Sequence, residues 1–284
     1  MRLEEASAAI REAFPEAWVD LAVAITEFGG AAVLMIVLAV LYWLTRRREA
    51  ALVVSYAVAG VGFILVLKTL IGLPRPPEDV YLIAYDGDPY GFPSGHAFAA
   101  SLVYGGLLLA FDRYRDPVAI AATGVVIALV SLSRVVLGLH YLGDVIVGAL
   151  VGLGFLLAVH AVVDGEPRRG FALGAVLGVP AVLVTGGDPD ALVALGGSLG
   201  GVLASTRLGS LPDLRSRLEG GVLVAVGGTA IGAGVALESI VGSLLSNLLA
   251  PAAIVAVNAA LFVAILLAPA AVGRLAIGPL DASR

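Results

Sequence analysis

The sequence contains no cysteine, which excludes disulfides, thiolate metal ligands and cysteine nucleophiles. Charge is scarce as well, because Lys, Arg, Asp and Glu make up only 14% of the chain, where a soluble domain averages about 25%. The net charge of −5 is mild and does not suggest a nucleic-acid partner. Lysine is almost missing: Lys68 is the only one, and it lies inside an apolar run. Because a charge is costly there, Lys68 is a candidate functional residue.

Apolar residues fill most of the chain. They account for 60% of it and give a mean hydropathy of +1.01. A membrane-spanning helix needs about 20 such residues in succession. The pattern predicts an all-α protein, a polytopic transmembrane helix bundle of about nine spans at 18–44, 51–73, 95–111, 117–136, 141–163, 171–186, 191–206, 219–243 and 250–273.

The arginines indicate the orientation of this bundle. With nine spans, all the arginine-rich loops fall on one side, and the positive-inside rule makes that side cytoplasmic. We therefore expect a multi-pass protein of the cell membrane with its N-terminus outside and its C-terminus in the cytoplasm. The arginines of this side are Arg46, Arg47, Arg48, Arg113, Arg115, Arg168, Arg169, Arg207, Arg215, Arg217, Arg274 and Arg284, whereas Arg2 and Arg11 lie on the other.

Three clusters of reactive side chains lie at the outer ends of predicted spans. They read KTLIGLPRP from Lys68 to Pro76, PSGH from Pro93 to His96, and SRVVLGLHYLGD from Ser133 to Asp144. The chain crosses the membrane and returns between the second cluster and the third. Spans two to five can therefore bring all three clusters together.

The first property of these clusters is an affinity for anions. Lys68, Arg75 and Arg134 are three cations on one face, and the arginine fork suits phosphate oxygens. Ser94 is a good N-cap for the third span, and Gly95 allows close approach of a ligand to the backbone. The free N–H groups and positive dipole of that helix end also favour an anion. The pattern indicates a site for a phosphoryl group.

The second property is a pair of histidines. His140 and Asp144 are four residues apart and would share a face of a helix. A carboxylate near Nδ1 fixes the tautomer and leaves Nε2 free to attack, so His140 is a candidate covalent nucleophile. His96 is then available as the general acid for the departing oxygen.

Taken together and in order, the three motifs resemble those of the type 2 phosphatidic acid phosphatase (PAP2) superfamily of membrane phosphatases, over about residues 50–160. The resemblance implies a phosphohistidine formed on His140, supported by Asp144, with His96 as acid. It also implies a reaction that needs neither metal nor cofactor. The phosphate-binding residues that it implies are Lys68, Arg75, Ser94, Gly95 and Arg134.

The resemblance also suggests how the chain is divided. Residues 1–17 would form an amphipathic N-terminal segment suited to the membrane interface. Residues 18–164 would form the PAP2-like catalytic core, in the N-terminal half of the chain. Residues 165–284 would form a four-helix transmembrane extension, whose role the resemblance does not explain.

We expect a membrane phosphatase that hydrolyses a phosphate or diphosphate ester at the outer membrane face. A lipid substrate is favoured, such as a polyprenyl diphosphate, phosphatidic acid or phosphatidylglycerol phosphate, and membrane lipids are the other expected partners. The sequence leaves open a phosphotransferase with an alcohol acceptor, a sugar-phosphate phosphatase, a transporter with a degenerate site, and a docking role for the last four spans. It does not indicate an oligomeric state.

Overall fold

The computed structural model describes residues 2–85, 87–245 and 249–275, and this part of the chain is helical, without a β-strand. Short 3₁₀ turns occur at Glu16–Trp18, Glu78–Val80, Leu208–Ser210 and Gly273–Leu275. The α-helices are α1 Glu4–Glu12, α2 Val19–Glu27, α3 Ala31–Leu44, α4 Arg47–Ile71, α5 Gly95–Ala110, α6 Pro117–Val136, α7 Leu142–Val163, α8 Pro167–Thr185, α9 Pro189–Ser205, α10 Arg217–Leu244 and α11 Ala250–Val272. The all-α fold class predicted from the sequence is confirmed.

Six of the described helices are long and apolar enough to cross a membrane, or seven if α2 and α3 together make one span. The helices α5 and α9 have only 16 and 17 residues, and a helix of that length covers about 25 Å. A hydrocarbon core is about 30 Å thick. The count of nine spans therefore stays a prediction, and the predicted C-terminal location lies outside the described residues.

The first predicted span, residues 18–44, is not one continuous helix. Its two halves are bent by 52° at a break between Glu27 and Ala31. At this break Gly29 approaches two other helices so closely that a Cβ there would lie 2.4 Å from Val130 Cγ1 and 3.2 Å from the backbone oxygen of His96. A straight helix with a side chain at this position would collide with α5 and α6. The break thus lets α2 pack against α6.

The chain divides into two compact units, and the first consists of the residues up to Ile36 together with Phe63–Asp164. In this unit α5 and α7 pack almost backbone to backbone. A Cβ at Gly148 would lie 2.5 Å from the Ser94 oxygen, and one at Gly152 would lie 2.6 Å from the Phe98 oxygen. The close approach of α7 supports the N-terminal end of α5, where the PSGH sequence lies.

The second unit consists of Val37–Gly62 and the residues from Gly165 onward. It includes α8 to α11 and the first part of α4. The helices α9 and α11 also pack through glycine, since a Cβ at Gly200 would lie 2.2 Å from the Ala259 oxygen. Tyr42 donates a hydrogen bond of 2.6 Å to the Leu266 carbonyl, which ties α3 to α11. The division at residues 1–17, 18–164 and 165–284 made from the sequence stays a prediction.

Candidate active site

The predicted site residues lie at the helix ends on one side of the first unit. Successive helices run in opposite directions, so the end of α4, the start of α5, the end of α6 and the start of α7 meet. All eight predicted residues belong to these ends or to the loops that join them: Lys68, Arg75, Ser94, Gly95, His96, Arg134, His140 and Asp144. The convergence predicted from the antiparallel order of the helices is present in the structure.

His140 is almost fully buried, with 1% of its surface exposed. Its Nδ1 lies 2.7 Å from the carbonyl oxygen of Gly91, and since a carbonyl can only accept, Nδ1 carries the proton. Its Nε2 lies 2.9 Å from Nη1 of Arg75, which can only donate. The imidazole is thereby held in the tautomer whose Nε2 lone pair faces the cations.

The charge around His140 favours its neutral form. Burial lowers the pKa of His140, and the Asp144 carboxylate opposes this effect. The positive charges of Arg75, Arg134 and Lys68 lower the pKa further. The imidazole is therefore neutral at pH 7, as a nucleophile must be.

The relation between His140 and Asp144 differs from the one expected. The helix α7 begins only at Leu142, so His140 lies in the preceding turn rather than on a shared helical face. Asp144 Oδ2 is 3.7 Å from His140 Nδ1, and the Gly91 carbonyl is the nearer acceptor. The two side chains lie close together, but His140 precedes the helix and Asp144 lies in its first turn.

Asp144 is fully buried and is held by Arg2, to which the sequence analysis assigned no role in the site. Arg2 Nε donates to its Oδ1 at 2.8 Å, and Arg2 Nη2 donates to its Oδ2 at 2.8 Å. The backbone N–H of Tyr141 donates to the same Oδ2 at 3.0 Å. Arg2 and Asp144 are 142 positions apart in the chain, so no local pattern could have linked them.

Arg75 lies at the centre of the cation group. Its Nε donates to the backbone oxygen of Asp88 at 2.7 Å, and its Nη1 donates to that of Leu139 at 3.1 Å. Its Nη2 donates to the Tyr85 hydroxyl at 2.7 Å, and the guanidinium lies 4.2 Å from the centre of the Tyr85 ring. The Asp88 carboxylate forms a salt bridge with Lys68 Nζ. Asp88 is a second residue that the sequence analysis did not assign to the site.

Arg134 is buried with 3% of its surface exposed. Its Nη1 donates to the Thr26 hydroxyl at 3.1 Å. Its Nε and Nη2 are also buried, and no acceptor contacts them among the described residues. Buried donors are rarely left in this way, so these two N–H groups mark a place suited to an anion.

The PSGH sequence forms the start of α5 as predicted. Ser94 is the N-cap, and its hydroxyl accepts a long hydrogen bond of 3.5 Å from Ala97 N. Gly95 has open space where a Cβ would point. His96 is the second residue of the helix. The backbone N–H of Ser94 donates a hydrogen bond of 3.0 Å to the Asp144 carbonyl, so this helix end lies beside the start of α7.

Comparisons with known proteins find that the chain is similar to a family and to a solved structure. The model of the PAP2 superfamily matches residues 48–168, a range that contains all eight predicted site residues. No curated protein matches the chain. A crystal structure of a transmembrane PAP2-type phosphatidylglycerolphosphate phosphatase from Bacillus subtilis is similar, with 27% identity, a TM-score of 0.45, and coverage of 55% of this chain and 81% of that one.

Proposed function

Residues 48–168 match the PAP2 superfamily, and from this match we propose that the chain is a member of it that hydrolyses the phosphate or diphosphate ester of a membrane lipid through a phosphohistidine at His140. The observation that carries the proposal is the environment of His140. Its Nδ1–H is fixed on a carbonyl, and its Nε2 faces Arg75 at 2.9 Å. A neutral imidazole with a directed lone pair beside several cations is suited to attack on a phosphorus atom.

In the first step the Nε2 lone pair of His140 forms a bond to phosphorus while the P–O ester bond breaks. His96 donates its proton to the departing oxygen, which leaves as an alcohol. The phosphorylated ring is cationic because Nδ1 keeps its proton, and the Asp144 carboxylate stabilises that charge. In the second step water attacks phosphorus, gives a proton to His96 and breaks the P–N bond. Inorganic phosphate leaves, and both histidines return to their starting states.

Phosphate binding is the role that we propose for the cations. The phosphate oxygens would accept hydrogen bonds from Nε and Nη2 of Arg134, from the Arg75 guanidinium and from Lys68 Nζ. Gly95 would supply its backbone N–H, Ser94 its hydroxyl, and α5 the positive dipole of its N-terminal end. The Asp88 carboxylate is paired with Lys68 in the structure, so it has to move away when the phosphate enters.

The setting of the site supports a lipid substrate. Its residues lie at the ends of apolar helices, which is the level of the lipid headgroups in a membrane. The arginine-rich loops follow the opposite ends of the same helices, and the positive-inside rule places those in the cytoplasm. We therefore propose that the site faces the outer leaflet of the cell membrane, within reach of polyprenyl diphosphates, phosphatidic acid and phosphatidylglycerol phosphate.

The test is phosphate release by the purified protein from each of these lipids and from a sugar phosphate, with and without a chelator. We expect release from at least one lipid, unaffected by the chelator, and its complete loss in His140→Ala. His160→Ala is the matched control, because His160 lies near the far end of α7 and should retain activity. Turnover by His140→Ala would refute the nucleophile, and an added alcohol acceptor would reveal phosphoryl transfer instead of hydrolysis.

A further inference from the structure

We propose that Arg2 is a positioning residue of this active site, which acts on His140 through Asp144. This inference rests on the proposed function. The Arg2 side chain contacts Asp144 and the Tyr141 ring. It holds the carboxylate that stabilises the phosphohistidine, and it does so from a segment far away in the sequence.

The contact between Arg2 and Asp144 is a two-pronged ion pair inside the protein. Both hydrogen bonds are 2.8 Å long, and only 15% of the arginine side chain and none of the aspartate side chain is exposed. The guanidinium also lies 4.6 Å from the centre of the Tyr141 ring. Bidentate pairs of this kind fix direction as well as distance, so Asp144 cannot rotate without breaking them.

The backbone of the same segment binds the start of α7. The carbonyl oxygen of Arg2 accepts a hydrogen bond of 2.9 Å from Gly143 N, and the hydroxyl of Ser7 accepts one of 2.8 Å from Leu142 N. The first N–H groups of a helix have no partner within the helix. Here the N-terminal segment supplies acceptors for two of these N–H groups. A Cβ at position 143 would lie 2.8 Å from Arg2 Cα, so only glycine permits this approach.

The packing of α1 explains how this segment is kept in place. Ser7 is completely buried. Ile10 packs against Val135 and Val145 beside the site, and Phe14 packs against the neighbouring cluster that contains Leu139. The segment therefore lies against the loop that carries His140, and its predicted place in the membrane interface stays a prediction.

These contacts set the electrostatics of the reaction. With both oxygens held, one by Arg2 alone and one by Arg2 together with Tyr141 N, the carboxylate stays 3.7 Å from His140 Nδ1. It is then already in place when the ring becomes cationic, and no reorganisation is needed at that moment. Removing Arg2 would leave a buried carboxylate without its partner, free to turn away from His140.

The experiment measures kcat and KM of phosphate release for Arg2→Met, Arg2→Lys, Asp144→Asn and the double variant Arg2→Met/Asp144→Asn. We expect Arg2→Met to lower kcat by about 10- to 100-fold, the range of a lost charged hydrogen bond, with little change in KM. Arg2→Lys should recover part of the loss. The double variant should be no slower than Asp144→Asn alone, because the effect of Arg2 passes through Asp144.

Arg11→Gln is the matched control, since it removes an arginine from the same N-terminal segment without touching Asp144, and it should retain kcat. Losses that multiply in the double variant would overturn the inference, as would an equal loss in Arg11→Gln. If Arg2→Met is not recovered folded, the same comparison is made with Arg2→Lys and its double variant. A wild-type protein that releases no phosphate would refute the proposed function and this inference together, whereas an active wild type with multiplying losses refutes only the role of Arg2.

Discussion

At the scale of single residues, the site is controlled by the surroundings of one imidazole. His140 is fully enclosed, and its pKa is lowered first by burial and then by nearby positive charges, with only the Asp144 carboxylate acting in the opposite direction. A nucleophilic histidine must be neutral. If His140 is the nucleophile, as proposed, activity should persist as the pH falls until it reaches the lowered pKa of this group.

We predict that the acidic limb of kcat/KM lies below about pH 6.5, the ordinary pKa of histidine. The measurement is a pH profile of phosphate release at low substrate concentration, with two substrates whose phosphates ionise differently. A limb that belongs to His140 stays in place when the substrate changes. A limb at or above pH 6.5 for both substrates would contradict the assignment of a neutral, buried nucleophile.

Only some of the residues of the site could be predicted from the sequence. Each of the eight predicted residues lies at the converging helix ends, because motifs fix residue type and spacing within one helix end. Arg2 and Asp88 were not assigned to the site, because their contacts join segments that are distant in sequence or separated by an irregular loop. No spacing rule applies to such pairs, and only the folded chain reveals them.

At the scale of elements, the loop between α4 and α5 occupies cations that we propose as the phosphate site. Asp88 contributes its carboxylate to Lys68 and its backbone oxygen to Arg75, and its Oδ1 accepts a hydrogen bond of 2.8 Å from Tyr90 N. These are the kinds of contact that a phosphate oxygen would make with the same cations. The Asp88 carboxylate thus neutralises part of the positive charge of the site through its salt bridge with Lys68.

We predict that Asp88→Asn strengthens inhibition by inorganic phosphate or vanadate by about 3- to 30-fold, because the anion no longer displaces a carboxylate from Lys68. The inhibition constant is measured at fixed pH and ionic strength. Glu78→Gln, which removes a charge from the same loop at an exposed position, should leave the constant unchanged. Weaker inhibition of Asp88→Asn would show that Asp88 supports anion binding instead of opposing it.

Another property of the elements is the tight contact of α5 with α7. Gly148 lies against the backbone oxygen of Ser94, whereas Gly154 on the same helix faces open space. We predict that Gly148→Ala lowers the free energy of unfolding by about 1–3 kcal/mol and reduces phosphate release, because the methyl group displaces the N-cap of α5. Gly154→Ala should change neither quantity. Thermal unfolding in detergent and the phosphate assay measure both, and equal behaviour of the two variants would count against this packing.

The bend in the first predicted span could not be predicted from the apolar pattern. The apolar run through residues 18–44 has no proline and reads as one span, yet the glycines at 29 and 30 let the chain turn by 52° against α5 and α6. Hydropathy measures how apolar a segment is. It does not show which neighbouring helices can approach closely at a glycine. Helices were therefore predictable here, whereas their continuity depended on tertiary contacts.

At the scale of the whole molecule, the proposed orientation has a direct test because the chain has no cysteine. Asp79→Cys in the loop before α5 and Arg115→Cys in the loop before α6 each introduce a single exposed thiol. Since α5 separates these loops and the arginine-rich loops are placed in the cytoplasm, a maleimide that cannot cross membranes should label Cys at 79 in intact cells and Cys at 115 only after permeabilisation. Labelling of both thiols in intact cells would mean that the 16-residue helix α5 does not span the membrane, and the reverse pattern would place the phosphate site in the cytoplasm.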